Sequence, residues 1–299
     1  MGWRNVMVSN PAVLSLDQNR LVVARQDQPG VTVPLEDIAS IVLDHPQITV
    51  TAPLLTALCA QGASLIPCDS AHTPCGALLP SGQHSRALRA LQYQLGASLP
   101  FLKNCWKRIV QQKLRNQARC LEIASLPEQA QVRALASQVK SGDSDNRESV
   151  AAAVTFSALF PGLKRREGGV INAAINYGYA VMRACVARNV TAYGFQSALG
   201  IHHCSVLNAF NLADDLLEPL RPVVDLWTFM HMREAASFEK EHRLALVRLL
   251  AAVVRCGDEE VAAQRGCEVM CASFVTACRE KDPQRLALPE LLNLRTWHE

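Results

Sequence analysis

Hydrophobic residues in the first 70 positions occur in short runs that are rich in Val and Ile and separated by turn-forming residues. Such runs are typical of β-strands, and the clearest turns are residues 17–19 and 28–30. One helical pattern begins at a proline and ends before Gly62, as short helices often do. The predicted strands cover residues 5–8, 13–16, 21–25, 31–33, 38–43, 48–51 and 64–67, and the predicted helix covers 53–61.

From residue 84 onwards the apolar positions recur every three or four residues, which is the spacing of amphipathic α-helices. The segment 71–84 is rich in Pro, Gly and Ser and is predicted to be a linker. We therefore predict an α+β protein, with a small N-terminal β-rich domain with one short helix (1–70) followed by a larger all-α C-terminal domain (85–299). The predicted helices cover about 84–95, 100–124, 127–139, 147–159, 169–189, 192–199, 205–218, 222–236, 239–254, 258–281 and a short segment near 289.

The composition is that of a globular protein with a large core, because 49% of the 299 residues are hydrophobic and 19% are charged. The net charge of +3 is too small to identify a partner, but the charge is unevenly distributed. No acidic residue occurs from Ser70 to Leu121. The basic residues of this segment fit binding of a nucleic-acid phosphate backbone, and they also fit a solvated helix face or a subunit interface. They are Arg86, Arg89, Lys103, Lys107, Arg108, Lys113, Arg115 and Arg119.

The richest group of polar residues lies between Gly200 and Pro222, where two histidines, two asparagines, two aspartates and a glutamate lie among apolar residues: His202, His203, Asn208, Asn211, Asp214, Asp215 and Glu218. Carboxylates beside a core are costly unless they are paired or bound to a cation. Residues three or four apart on a helix can share a face, so either Asp215 or Asp214 can pair with Glu218, and such carboxylates with one imidazole suit Mg²⁺ or Mn²⁺ better than a closed zinc site. A helix cap followed by a solvated acidic turn, with an ion pair to Arg221, explains the same residues without a metal.

A second candidate ligand is Glu148, at the start of a predicted helix that Asp145 or Asn146 can cap. An acidic residue in a first helical turn is also explained by the helix dipole. Together with His203 and Glu218, Glu148 would complete a set of two carboxylates and one imidazole drawn from separate helices.

Several function classes lack support in the sequence. Nucleotide-binding Gly-rich loops and local signatures of a Ser or Cys nucleophile are absent. Residues 189–213 are uncharged, but they contain His, Gln and Asn residues that argue against a membrane span. The eleven cysteines form no Cys-x-x-Cys pair, and the chain does not open with a signal-peptide pattern, so we expect a cytoplasmic protein with reduced, mostly buried thiols.

Over essentially its whole length the chain resembles the CRISPR-associated spacer integrases, the universal first Cas proteins, in the form found in type II systems. The resemblance rests on motifs that occur in one order and spacing. These motifs are Met1-Gly2-Trp3-Arg4, Asn146-Arg147-Glu148, Asn172 with Asn176-Tyr177-Gly178-Tyr179, Leu199-Gly200-x-x-His203, and Asn208-x-x-Asn211-Leu212-Ala213-x-Asp215-Leu216-x-Glu218-Pro219-x-Arg221-Pro222.

The resemblance implies roles for individual residues. Glu148, His203 and Glu218 occupy the positions of the family's metal ligands and would be catalytic. Glu218 stands where relatives from other subtypes carry Asp. Asp215 matches an acidic position that binds the metal or supports a metal ligand in some relatives, and Tyr177 matches a tyrosine that lies near the scissile phosphate in some relatives. From its proximity in sequence, Asp215 or Asn211 is expected to orient the His203 ring.

The resemblance also implies an activity and partners. The protein would insert spacers from foreign DNA into a CRISPR array by attack of a DNA 3′-hydroxyl on repeat phosphodiesters, using Mg²⁺ or Mn²⁺. It would form homodimers through the N-terminal domain, and a dimer of the small second universal Cas protein would join two of them into a heterohexamer on double-stranded DNA. Contact with the type II effector nuclease is left open. The alternatives are a stand-alone metal-dependent DNase acting on branched or damaged DNA and a non-enzymatic basic DNA-binding protein.

Overall fold

The computed structural model describes residues 2–26, 28–81, 87–165 and 167–296, which form two compact units, Met1–Ala87 and Leu88–Glu299. The first unit is β-rich and the second is mostly helical, which confirms the predicted fold class. None of the helices in the described part of the chain is long and apolar enough to cross a membrane.

In its described residues the N-terminal unit contains two sheets and one α-helix, close to the positions that the hydrophobic runs predict. Three parallel strands form one sheet in the order β1-β5-β7, and the other sheet has the order β4-β3-β2-β6. Alternate residues of these strands, such as Leu14 and Leu21, are fully buried against Leu54 and Leu58 of the helix. The elements are β1 (Arg4–Val8), β2 (Ala12–Asp17), β3 (Arg20–Arg25), β4 (Gln28–Pro34), β5 (Ile38–Leu43), β6 (Ile48–Val50), α1 (Ala52–Gln61) and β7 (Ser64–Pro67).

Part of the segment predicted to be a linker returns to the N-terminal unit. The backbone N–H and C=O groups of Leu78 both bond to Leu65 in β7, at N–O distances of 2.8 and 3.1 Å, and Cys68 and Pro74 form a second antiparallel bridge. These bonds satisfy backbone groups that an edge strand would otherwise expose. Residues 82–84 of the predicted linker lie outside the described residues.

The longest helix, α3, is the centre of the C-terminal unit and packs against four of the other helices. It begins after Ser98, whose hydroxyl accepts a hydrogen bond from the N–H of Phe101, and Pro100 in the first turn costs no hydrogen bond. The helices are α2 (Ala87–Leu95), α3 (Leu99–Ile123), α4 (Gln129–Gln138), α5 (Arg147–Leu159), α6 (Val170–Ala192), α7 (Asn211–Leu217), α8 (Arg221–Met232), α9 (Lys240–Arg248) and α10 (Ala263–Glu280).

A three-stranded antiparallel sheet, with the order β10-β8-β9, stands where the sequence predicts helix. Its strands are β8 (Ala252–Cys256), β9 (Glu259–Ala262) and β10 (Glu290–Thr296). Cys256 pairs with Glu259 across the two-residue turn Gly257-Asp258, and Gly257 has a φ of +64°. A glycine at positive φ before Asp is a hairpin signal, so the helix predictions that run through 254, from 258 and near 289 are wrong at these residues.

The segment 193–210 is a loop, so the predicted helix 192–199 and the first part of the predicted helix 205–218 are wrong. It leaves α6 at Gly194, whose φ is +79°. The Gln94 side chain of α2 donates to the carbonyls of Gln196 and Leu199 and accepts from the N–H of Gln196. These bonds replace the helical ones and fix the loop that carries His203.

Candidate active site

Glu148 lies in the first turn of α5, and the start of this helix is held by Asp143. The Asp143 carboxylate accepts hydrogen bonds from the backbone N–H groups of Arg147 and Glu148, at 2.9 and 3.0 Å. Asn146 adopts a left-handed conformation without a side-chain cap bond, so the cap is neither of the two residues predicted. The Glu148 side chain is 28% exposed and can meet a ligand from solvent.

Glu218 is buried in the turn between α7 and α8, where prolines on either side of Leu220 shape the chain. The turn is tied to α3 by Asn116, whose amide donates to the carbonyls of Pro219 (2.7 Å) and Pro289 (2.9 Å). The amide oxygen of Asn116 accepts from the N–H of Leu291 in β10. One buried side chain on α3 thus positions the turn that carries the carboxylate.

The carboxylates of Glu148 and Glu218 meet at one ammonium group, that of Lys113 on α3. Lys113 Nζ contacts Glu148 Oε1 and Glu218 Oε2, and Arg221 Nε lies 3.0 Å from Glu218 Oε1. Burial alone would raise the pKa of Glu218, but Lys113 and Arg221 more than offset it and hold this pKa below its ordinary value. Both carboxylates therefore reach one point, and Glu218 is ionised there.

His203 is oriented by Asp215, which is fully buried in α7. Asp215 Oδ1 lies 2.5 Å from His203 Nδ1, and the same carboxylate accepts from the backbone N–H groups of Ile201, His202 and His203. The hydrogen bond to Asp215 raises the pKa of His203. When Nδ1 donates its proton to Asp215, Nε2 keeps a lone pair for a ligand, which is the arrangement of carboxylate–histidine–metal sites.

Gly200 is needed for this close approach. A Cβ atom at this position would lie 2.2 Å from the carbonyl oxygen of His203 and 2.8 Å from Asp215 Oδ2. The absence of a side chain therefore lets the loop fold over the buried carboxylate.

Of the two residues predicted to orient His203, only Asp215 contacts its ring. The Asn211 amide donates instead to the carbonyls of Ala198 and Ser205, at 3.0 and 2.9 Å, so it holds the loop and not the imidazole.

The structure does not support the predicted position of Tyr177 near a ligand. Its side chain is 1% exposed and packs edge-to-face against Phe238 in the core. Tyr179 lies next to the site instead: its hydroxyl donates to Asp225 at 2.6 Å, and the Arg221 guanidinium lies 4.6 Å from its ring centre.

The sequence alone does not assign two residues to this site. From the sequence, Lys113 counts among the basic residues that could contact DNA, and Trp106 is not singled out. The indole of Trp106, which is 3% exposed, stacks on His202 at 4.3 Å and meets the edge of His203 at 5.7 Å. Both residues lie on α3, about 90 residues before the histidines, so no local spacing connects them.

The predicted basic residues divide into two groups, with Arg86 outside the described residues. Lys113 pairs with the carboxylates, Arg108 bonds to Gln284 and to the carbonyl of Leu286, and Arg119 pairs with Glu122 at 2.9 Å. These three have intramolecular partners, and a role for them in phosphate contact stays a prediction. The remaining four are exposed or half-buried on α2 and α3, and their role in DNA binding stays a prediction: Arg89, Lys103, Lys107 and Arg115.

No group of three or more His, Cys, Asp or Glu side chains in the described part of the chain is gathered closely enough to hold a metal ion. The carboxylates of Glu148 and Glu218 meet at Lys113. The negative charge of Glu218 also acts on His203 and helps to raise the pKa of its imidazole. The residues nevertheless fit a divalent cation. Glu218 is buried and ionised, and its carboxylate, the carboxylate of Glu148 and the imidazole of His203 are of the ligand types that Mg²⁺ and Mn²⁺ accept.

A cavity of about 740 Å³ opens beside His203. Its lining combines the two histidines and Asn208 with apolar side chains, including Leu95 and Leu207. The cavity therefore adjoins the loop that carries the oriented imidazole, and its lining does not include Glu148 or Glu218.

Comparisons with known proteins agree on one protein family. The model of the family "CRISPR associated protein Cas1" matches residues 6–159 and 154–246. A CRISPR-associated endonuclease Cas1 from Neisseria meningitidis serogroup C (strain 8013) is 41% identical over 303 residues, which cover 99% of each chain.

Solved structures share the fold at low sequence identity. A casposase bound to an integration product has a TM-score of 0.73 at 16% identity, with 93% of this chain and 91% of the other covered. A Cas6-RT-Cas1–Cas2 complex gives a TM-score of 0.73 at 15% identity over 97% of this chain, which spans only 36% of that longer chain.

Proposed function

The chain belongs to the Cas1 family of CRISPR-associated proteins, whose relative from Neisseria is an endonuclease, and we propose that it is a metal-dependent DNA integrase that inserts spacers into a CRISPR array. The observation that carries the proposal is the meeting of Glu148 and Glu218 at one cation, together with the effect of the Glu218 charge on an imidazole that Asp215 orients. Glu148, His203 and Glu218 are 55 and 15 residues apart along the chain, and all three belong to the C-terminal unit.

The chemistry requires a cation that the protein can exchange. Two carboxylates repel a phosphodiester, so DNA can approach them only when their charge is neutralised. Glu148, Glu218 and Nε2 of His203 would hold Mg²⁺ or Mn²⁺, and a bound ion of this kind polarises a scissile phosphate and stabilises the charge that develops on it.

The protein's own residues prepare this site. Asp215 fixes the tautomer and the orientation of His203, and Arg221 holds one oxygen of Glu218 while the other faces Glu148. Trp106 packs against both histidines and limits the movement of the loop. A site assembled on rigid helices keeps the ligands in place before DNA arrives.

The proposed reaction exchanges one phosphodiester for another and therefore needs no ATP. A bond forms between the attacking 3′-oxygen and phosphorus while the bond to the leaving 3′-oxygen of the repeat breaks. The proton of the attacking hydroxyl ends on the leaving oxygen. With water as the nucleophile, the same site would hydrolyse DNA.

The proposed assembly has partners. The similar fold of a chain in a Cas6-RT-Cas1–Cas2 complex supports a Cas2 protein as partner of this chain. The similar fold of a casposase bound to an integration product supports an integration reaction, for which we propose double-stranded DNA as the substrate. We include a homodimer and a heterohexamer with Cas2 in the proposal, because insertion of a spacer requires two active sites at a fixed distance.

A disintegration assay tests the activity without the native repeat sequence. A synthetic branched DNA that mimics a half-integrated spacer is incubated with the protein and Mn²⁺ or Mg²⁺, and the rejoined strand is measured. Glu148→Ala should reduce rejoining by more than about 100-fold, since even residues behind metal ligands commonly cost 10–100-fold. Glu241→Ala, an exposed carboxylate on α9, is the matched control and should retain activity.

Two results would overturn the proposal. Full rejoining by Glu148→Ala, or by the wild type in EDTA, would remove the metal-dependent site. Cutting of the branched DNA without rejoining would identify a nuclease and not an integrase.

A further inference from the structure

Lys113 is a buried lysine at the centre of the candidate metal site. It is 6% exposed, and its ammonium contacts one oxygen of Glu148 and one of Glu218. Lysine is almost never buried to this degree unless it is paired. The structure therefore contains a single positive group shared by the two carboxylates.

The ammonium carries its charge. The carboxylates of Glu148 and Glu218 both contact it, and neighbouring opposite charges favour the charged form of a lysine. The pair of carboxylates is thus neutralised from within the protein, by Lys113 together with Arg221.

The geometry leaves few oxygens for a second cation. Arg221 Nε holds Glu218 Oε1 at 3.0 Å, so Glu218 Oε2 is the oxygen that faces Glu148. That oxygen and Glu148 Oε1 are the two atoms that Lys113 contacts. An ion that binds through both carboxylates needs the atoms that the ammonium holds.

We propose that Lys113 is a built-in placeholder cation, which competes with the divalent ion for Glu148 and Glu218 and must leave at least one of them when the ion binds. The proposal rests on the metal site of the proposed function and adds a control of metal affinity to it. Lys113 keeps the two carboxylates together without a metal, and it weakens metal binding by the same contacts.

A titration of the full-length protein with Mn²⁺ tests the competition. Lys113→Met removes the charge and keeps most of the length of the side chain, so Mn²⁺ should bind at least about tenfold more tightly, because charges a few Å apart inside a protein interact strongly. Lys113→Arg keeps the positive charge and should not tighten binding. Lys240→Met, a half-buried lysine on α9, makes the same change in net charge away from the site and should bind Mn²⁺ as the wild type does.

Thermal unfolding gives a second readout that does not depend on activity. In EDTA, Lys113→Met should unfold several degrees below the wild type, because two neighbouring carboxylates lose their counter-charge. Mn²⁺ should raise the Tm of Lys113→Met much more than that of the wild type, since the ion then supplies the missing charge.

The results separate the failure of this inference from that of the proposed function. If the wild type binds Mn²⁺ and Lys113→Met binds it no more tightly, the placeholder role is wrong and the metal site stands. If Lys113→Met is unfolded both in EDTA and in Mn²⁺, the ion does not replace the ammonium, and the inference is again wrong. Tight binding by Lys113→Met alone would support the inference, and no binding by either protein would overturn both proposals.

Discussion

The carboxylate of Asp215 and the imidazole of His203 link the buried framework to one of the proposed ligands, with Oδ1 and Nδ1 2.5 Å apart. The same carboxylate also holds three successive backbone N–H groups of the loop. Asp215 therefore fixes both the path of the loop and the direction of the ring that the loop presents.

Asp215→Asn should lower DNA rejoining and Mn²⁺ affinity by about 10–100-fold, the usual cost of losing a group that orients a metal ligand. Asp214→Asn is the matched control, because it removes the same charge from the same helix, while Asp214 bonds to Asn208 and not to the imidazole. Equal losses in the two variants would show that charge matters here and orientation does not.

The adjacent histidines should differ in their effect. His203→Ala removes the oriented imidazole and should abolish rejoining, whereas His202→Ala removes a ring that stacks on Trp106 and should retain most of it. Both variants are assayed on branched DNA with Mn²⁺, and far-ultraviolet circular dichroism checks that each remains folded. Loss of activity in His202→Ala but not in His203→Ala would show that His202, and not His203, is the ligand.

Asp225 makes a specific contribution to the pH dependence of stability. Burial raises its pKa to about 6, although the hydrogen bond from Tyr179 and the charge of Arg221 act in the opposite direction. Because the folded-state pKa exceeds the unfolded value of about 4, the native state takes up a proton between these pH values. The contribution of Asp225 to the free energy of unfolding is therefore greatest below about pH 4 and is lost as the pH rises through 6.

Asp225→Asn removes this ionisation and keeps an acceptor for Tyr179. Compared with wild type, the variant should become more stable as the pH is raised from 5 to 8, by roughly 1–3 kcal/mol in urea unfolding. Asp258→Asn, in an exposed hairpin turn, should show no such trend. If the difference in the free energy of unfolding between the variant and the wild type did not change with pH, the raised pKa of Asp225 would be contradicted.

Lys103 and Lys107 stand one turn apart on α3 and are the strongest remaining candidates for phosphate contacts. Replacing both by Ala should weaken DNA binding and reduce the slope of log Kd against log salt by about 1 to 2, because each contact releases counterions. Fluorescence anisotropy with duplex DNA at several salt concentrations measures the slope. The control is Lys281→Ala, on an exposed residue after α10, and a slope that both proteins share with wild type would remove α3 from the DNA path.

The sequence predicts the N-terminal sheets well because Val- and Ile-rich runs and turn residues are local signals. It does not predict the hairpin at Gly257-Asp258, because the apolar residues on both sides also have helical spacing, and the strand that completes the sheet comes about 30 residues later. Glu148, His203 and Glu218 are found through family motifs. Lys113 and Trp106 are not, because their roles depend on how α3 meets a distant loop and turn.

The Asn116 side chain connects strand β10 to the candidate active site. Its amide group holds the carbonyl of Pro219 next to Glu218 and, at the same time, the backbone around Pro289 and Leu291. A C-terminal truncation that removes β10, or a fusion that distorts it, would therefore weaken the hydrogen bonds that position Glu218, about 70 residues earlier in the sequence. Such a change would lower activity in the same way as a mutation of a metal ligand.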